Sequence, residues 1–141
     1  MVDRLYPPQA LRSMLRECDF VAVSVPLTEQ TRHLIGAEAL AVMKPSAVLV
    51  NVSRGEVVDQ TALIHALQAE RLGGAGLDVF EQEPVPSDSP LWELPNVIIS
   101  PHVAGFSYKY NERAAHLFAE NLRLYLAGEP LLNLVNRDFG Y

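Results

Sequence analysis

The chain has 141 residues, long enough to bury a real core, and its 49% apolar and 20% charged content excludes a disordered segment. A net charge of −6 with no basic run excludes a nucleic-acid partner, and apolar runs such as "AVLVNV" are far too short to span a bilayer. The lone cysteine, Cys18, excludes an internal disulfide and suits a reducing cytoplasm, while "MVDRLYPPQAL" puts an acid and two prolines where a signal peptide needs apolar residues.

Along the chain, Leu11, Met14, Leu15 and Cys18 follow the i, i+3, i+4, i+7 spacing of an amphipathic helix, with Pro8 near its start. The first strand is "FVAVSV" (20–25), followed by the loop "PLTEQT"; the second is "AVLVNV" (47–52), followed by "SRGEVVD". "DQTALIHALQAERLGG" reads as a helix with Asp59 as N-cap and the Gly73–Gly74 pair as its stop. The third strand is "GAGLDVF" (74–80), with Asp78 inside it and "EQEP" after it. A long Pro-rich loop, "EQEPVPSDSPLWELP", leads to the fourth strand, "NVIIS" (96–100), and then to "PHVAG". A helix of about five turns, closed by Gly128, ends the pattern. Nearly continuous apolar strands alternating with helices predict an α/β fold, a doubly wound parallel sheet with helices on both faces.

In an open sheet of this kind, ligands sit beyond the carboxyl ends of the strands. Arg54, Asp78, Glu83 and His102 all follow or end strands and so fall on one rim. Taken singly, each has an ordinary reading: a solvated turn arginine, loop acids, a hydrogen-bonded histidine. Taken together they suit one reaction class. A carboxylate beside a histidine stabilises the imidazolium, and an arginine can grip a substrate carboxylate in a bidentate fork. That set suits interconversion of an alcohol and a ketone next to a carboxylate, with the hydride coming from a cofactor.

The motifs "VNVSRGEVVD", "GLDVFEQEP" and "SPHVAG", in that order, resemble the signatures of the NAD-dependent D-isomer-specific 2-hydroxyacid dehydrogenases. "CDFVAVSVPLTEQTRHLIG" and the closing "GEPLLNLVNRDFGY" are similar to the flanking parts of such chains, so the resemblance covers nearly all the sequence. It implies that Arg54 binds the substrate's carboxylate and carbonyl. His102 would be general acid in reduction and general base in oxidation, and Glu83 would pair with it. Asp78 would hydrogen-bond the nicotinamide carboxamide. Val25, Pro26, Val52 and Ser53, with Ala104 and Gly105, would line the nicotinamide side of the pocket together with Arg54 and His102. A glutamate at 83, where related formate dehydrogenases carry glutamine, favours a 2-hydroxy or 2-keto acid as the small-molecule substrate. NAD is the implied cofactor, with NADP not excluded, and a homodimer is implied for a complete protein.

One departure matters. No G-x-G-x-x-G fingerprint is present, and "GGAGLD" runs into a strand rather than a helix. The resemblance then implies that residues 1–141 are the C-terminal part of an NAD-binding, Rossmann-like domain. Within it, residues 127–141 form a tail that would return toward a substrate domain. It also implies that the chain alone binds NAD weakly or not at all, and that "FVAVSV" is an exposed edge inviting association. Two other readings stay open: a corepressor-like interaction module on the same fold, and a non-catalytic remnant. His33, His65 and His116 read as bystanders, and neither they nor Cys18 supply metal-ligand spacing. Phe118, Leu122 and Tyr125 read as core or interface.

Overall fold

The computed structural model describes residues 2–138. By contacts the chain divides into two compact units, one ending at His102 and the other beginning at Val103. The first holds α1 (Leu11–Glu17), β1 (Phe20–Val23), α2 (Ala37–Leu40), β2 (Val48–Asn51), α3 (Gln60–Gln68), β3 (Gly74–Leu77) and β4 (Val97–Ile99). The second holds α4 (Tyr110–Ala127).

The four strands form one sheet in the order β1-β2-β3-β4, parallel throughout. This is the expected α/β, Rossmann-like architecture, and it sends every strand's carboxyl end to one rim. Register aligns Val21, Leu49, Ala75 and Val97 in one row and Ala22, Val50, Gly76 and Ile98 in the next. Side chains alternate between faces along a strand. The Val21 row therefore faces the helices, where Leu15, Leu40, Leu63 and Leu67 join Leu49 and Leu77 in the core. On the opposite face, Phe20 and Ile98 are each 76% exposed.

Local signals explain most boundaries. Pro8 opens a 3-10 turn, Pro8–Ala10, ahead of α1. Asp59 caps α3 as expected, its side chain accepting from Ala62 N–H at 2.9 Å. The stop of α3 differs from expectation. The helix ends at Gln68, and Glu70 takes the left-handed turn at φ 52°, letting Arg71 N–H reach Ala66 O at 2.8 Å. Gly73 and Gly74 instead admit close neighbours, because a Cβ there would sit 2.7 Å from Ser46 O and 2.9 Å from Asn96 O. α2, a single turn after Gly36, was not apparent in the sequence pattern.

In the second unit, Gly128 closes α4 in the left-handed conformation, φ 71°. The Asn121 side chain holds the following segment through Leu132 N–H at 2.7 Å and Leu132 O at 3.2 Å. Phe118, Leu122 and Tyr125 are exposed in this chain rather than buried in its core. The last three residues of the expected tail lie outside the described residues. No helix among the described residues is long and apolar enough to cross a membrane.

Candidate active site

The turn after β2 is built by one buried side chain. Asn51, 1% exposed, accepts from Ser53 N–H at 3.1 Å and Ser53 Oγ–H at 2.8 Å, and donates to Arg54 O at 3.0 Å. All of its polar atoms are used, as a buried amide requires. Arg54 follows, exposed, with Nη1 donating to Ser53 O at 2.7 Å. Next comes Gly55, where a Cβ would fall 1.9 Å from Phe80 C. Only glycine lets the Arg54 turn lie against the loop that carries Glu83.

That loop begins at β3. Asp78 is 4% exposed and its Oδ1 accepts from Ser100 Oγ–H. Two residues beyond, Phe80 N–H donates to Glu83 Oε1 at 2.9 Å, so the carboxylate is fixed by its own loop. Its other oxygen, Oε2, lies 2.8 Å from His102 Nδ1. The Glu83–Pro84 peptide is cis. His102 follows β4 with φ 56°, a left-handed conformation that a non-glycine residue adopts at some cost. The Glu83 carboxyl is held below its usual range. The His102 hydrogen bond lowers it most and partial burial opposes this; the Phe80 N–H and the charges of His102 and Arg54 lower it further.

The rim thus brings together three of the expected groups: Glu83 bonds His102, and Arg54 is near enough for its charge to act on Glu83. Val25 and Val52, at the ends of β1 and β2, are 37% and 41% exposed, and Pro26 is exposed beside Val25. Ser53 is 7% exposed and serves Asn51. Ala104 and Gly105 are exposed and fall in the second unit. Sequence reasoning passed over two residues. Asn51 sits inside "VNVSRG", where a polar residue ending a buried strand was the available signal. His33, read as a bystander, is a hydrogen-bonded one, its Nε2 lying 3.0 Å from Glu81 Oε1. No local pattern announces that partner.

Residues 3–104 match the family model described as D-isomer specific 2-hydroxyacid dehydrogenase, NAD binding domain. The chain belongs to that family. It is 53% identical over 128 residues to a glyoxylate reductase of Korarchaeum cryptofilum, covering 91% of this chain and 39% of that protein. A glyoxylate/hydroxypyruvate reductase B of Enterobacter agglomerans is 52% identical, covering 89% of this chain and 39% of its own length. Among solved structures, a D-isomer specific 2-hydroxyacid dehydrogenase from Xanthobacter autotrophicus Py2, crystallised with NADPH and MES, superposes with a TM-score of 0.88 at 45% identity. That match covers 94% of this chain and 54% of the other. This member of the dehydrogenase family therefore spans about two-fifths of the length of the curated relatives it matches.

Proposed function

We propose that this dehydrogenase-family chain carries the proton-handling half of a 2-hydroxyacid dehydrogenase site, acting on a short 2-keto acid of the glyoxylate or hydroxypyruvate kind. The names of its relatives support the substrate class, and one geometric observation supports the chemistry. Glu83 Oε2 meets His102 Nδ1 at 2.8 Å while Glu83 Oε1 is pinned by Phe80 N–H. With Nδ1 so occupied, the ring's other nitrogen, Nε2, is the one to deliver a proton to a ketone oxygen during reduction or to take it back during oxidation. Glu83 stabilises the imidazolium state in either direction. Arg54, exposed beside this pair, offers a fork of N–H donors for the substrate carboxylate and adds positive charge where the carbonyl oxygen becomes negative.

The residues fit the nicotinamide end of a dinucleotide. Val25, Pro26 and Val52 give exposed apolar surface at neighbouring strand ends, and Asp78 keeps a carboxylate at the end of β3. NAD(H) or NADP(H), when bound, supplies the hydride. The sequence has no glycine-rich turn to hold a pyrophosphate, so we assign turnover to a complete protein and only feeble cofactor binding to these 141 residues. We assign homodimer formation to the complete protein as well; a monomer by light scattering of full-length material would overturn that.

In a full-length enzyme carrying this segment, His102→Ala should lower kcat/KM for 2-keto acid reduction by about 100-fold or more. Undiminished reduction by that variant, measured by NAD(P)H consumption, would sink the assignment.

A further inference from the structure

A second histidine–glutamate pair lies on the same rim. Glu81 is two residues from Glu83, and its Oε1 receives both His33 Nε2 at 3.0 Å and Gln60 N–H at 3.1 Å. Its backbone N–H returns a bond to Gln60 Oε1 at 3.3 Å. Glu81 is therefore a hub reaching residues 48 and 21 positions away in sequence. The three strands' loops are laced together at the same place. His33 N–H donates to Glu56 O at 2.8 Å, and Ile35 N–H donates to Val57 O at 3.1 Å. Asp59 N–H closes back onto Ile35 O at 3.1 Å. His33 holds its place in a left-handed conformation, φ 51°, as His102 does.

The geometry points to Glu81, with His33 and Gln60, as a positioning clamp that fixes the 80–84 loop so that Glu83 can meet His102. The inference rests on the reading of Glu83 and His102 as the proton-handling pair. Glu83 is exposed enough to move, and among the described residues the restraint it takes from its own loop is the Phe80 N–H. That bond would travel with the loop if the loop shifted. A restraint from outside the loop is needed to hold the carboxylate within hydrogen-bond reach of a histidine that follows another strand. Glu81 supplies it from two directions, and Gly55 packs against Phe80 and Glu81 from the side of the Arg54 turn.

The test follows the Glu83 carboxyl through an acid titration by carbon NMR in the 141-residue chain. Groups facing Glu83 are His102, Arg54 and the Phe80 N–H; those facing Glu81 are His33 and Gln60. His102→Ala sets the scale, raising the Glu83 midpoint by removing its main hydrogen bond. Glu81→Ala should raise it by at least half as much, because the loop relaxes and the pair loosens. The sign separates positioning from simple electrostatics: removing a neighbouring negative charge by itself would lower the midpoint. Glu81→Gln keeps an acceptor oxygen for His33 and Gln60 and should restore the original value or fall slightly below it. Where Glu81→Ala does not fold, Gln60→Ala, which changes no charge, should give a smaller upward shift. A folded Glu81→Ala or Gln60→Ala chain with an unmoved or lowered midpoint overturns the clamp. So does a Glu81→Gln chain shifted upward as far as Glu81→Ala. If His102→Ala itself leaves Glu83 unmoved, the pairing underlying the proposed function fails, and the clamp with it.

Discussion

His102–Glu83 and His33–Glu81 are close to a matched set. Each joins a left-handed histidine to a glutamate of the same loop, at 2.8 and 3.0 Å. Burial does not separate them, for both histidine side chains are 47% exposed and the glutamates 37% and 32%. What separates them is how the carboxylate's two oxygens are spent. Glu83 gives one to its own loop and one to His102, within the field of Arg54. Glu81 gives a single oxygen to two donors from distant segments. A histidine–carboxylate contact is thus not in itself a sign of proton chemistry. The first pair sits beside a cation able to hold an anionic substrate, whereas the second is a cross-link between loops.

The largest effect should come from a change that strikes both pairs at once. In Gly55→Ala the new Cβ would lie 1.9 Å from Phe80 C and 2.0 Å from Phe80 O, both backbone atoms of the loop that carries both glutamates. No rotamer change relieves that clash, so the Arg54 turn and the 80–84 loop must separate. Overpacking of this kind should cost about 3 kcal/mol, read as a lower urea midpoint. The histidine contacts of both glutamates should be lost together. A Gly55→Ala chain with wild-type stability would show that the two loops do not press against one another, and the comparison between the pairs would lose its shared frame.

Much of this frame was legible in the sequence because its signals are local. Parallel strands write themselves as short apolar runs, and the rim residues follow from where each run ends. Asp59 and Gly128 announced a cap and a stop through their own chemistry. The misreadings share a cause. Glu70, rather than the Gly73–Gly74 pair, ends α3, since the glycines answer to Ser46 and Asn96 on neighbouring segments. The partner of His33 was not legible because it is 48 residues away and on another loop. The exposure of Phe20 and Ile98 could not be read from apolar content, which is the same whether or not a residue is covered. Pairings across the sheet leave no mark on periodicity; only geometry records them.

The finer test touches one pair and spares the other. Glu83's carboxyl is lowered in the folded chain, chiefly by the His102 hydrogen bond. A depressed folded value means that the stability gained is fully present above the ordinary glutamate value of about 4.3. It is lost as pH falls from there through the folded midpoint, where the carboxylate takes up its proton. Glu83→Gln removes that titration and should flatten the corresponding part of the acid limb when urea midpoints are plotted against pH. The Glu81–His33 contact should survive, because the Gln60 bonds and the His33 backbone bond to Glu56 do not involve residue 83. Since Glu83 is more than a third exposed, solvent screens the pair and the flattening should be small. An unchanged acid limb would mean that the Glu83–His102 contact adds nothing to folding, leaving alignment of the imidazole as what the carboxylate does.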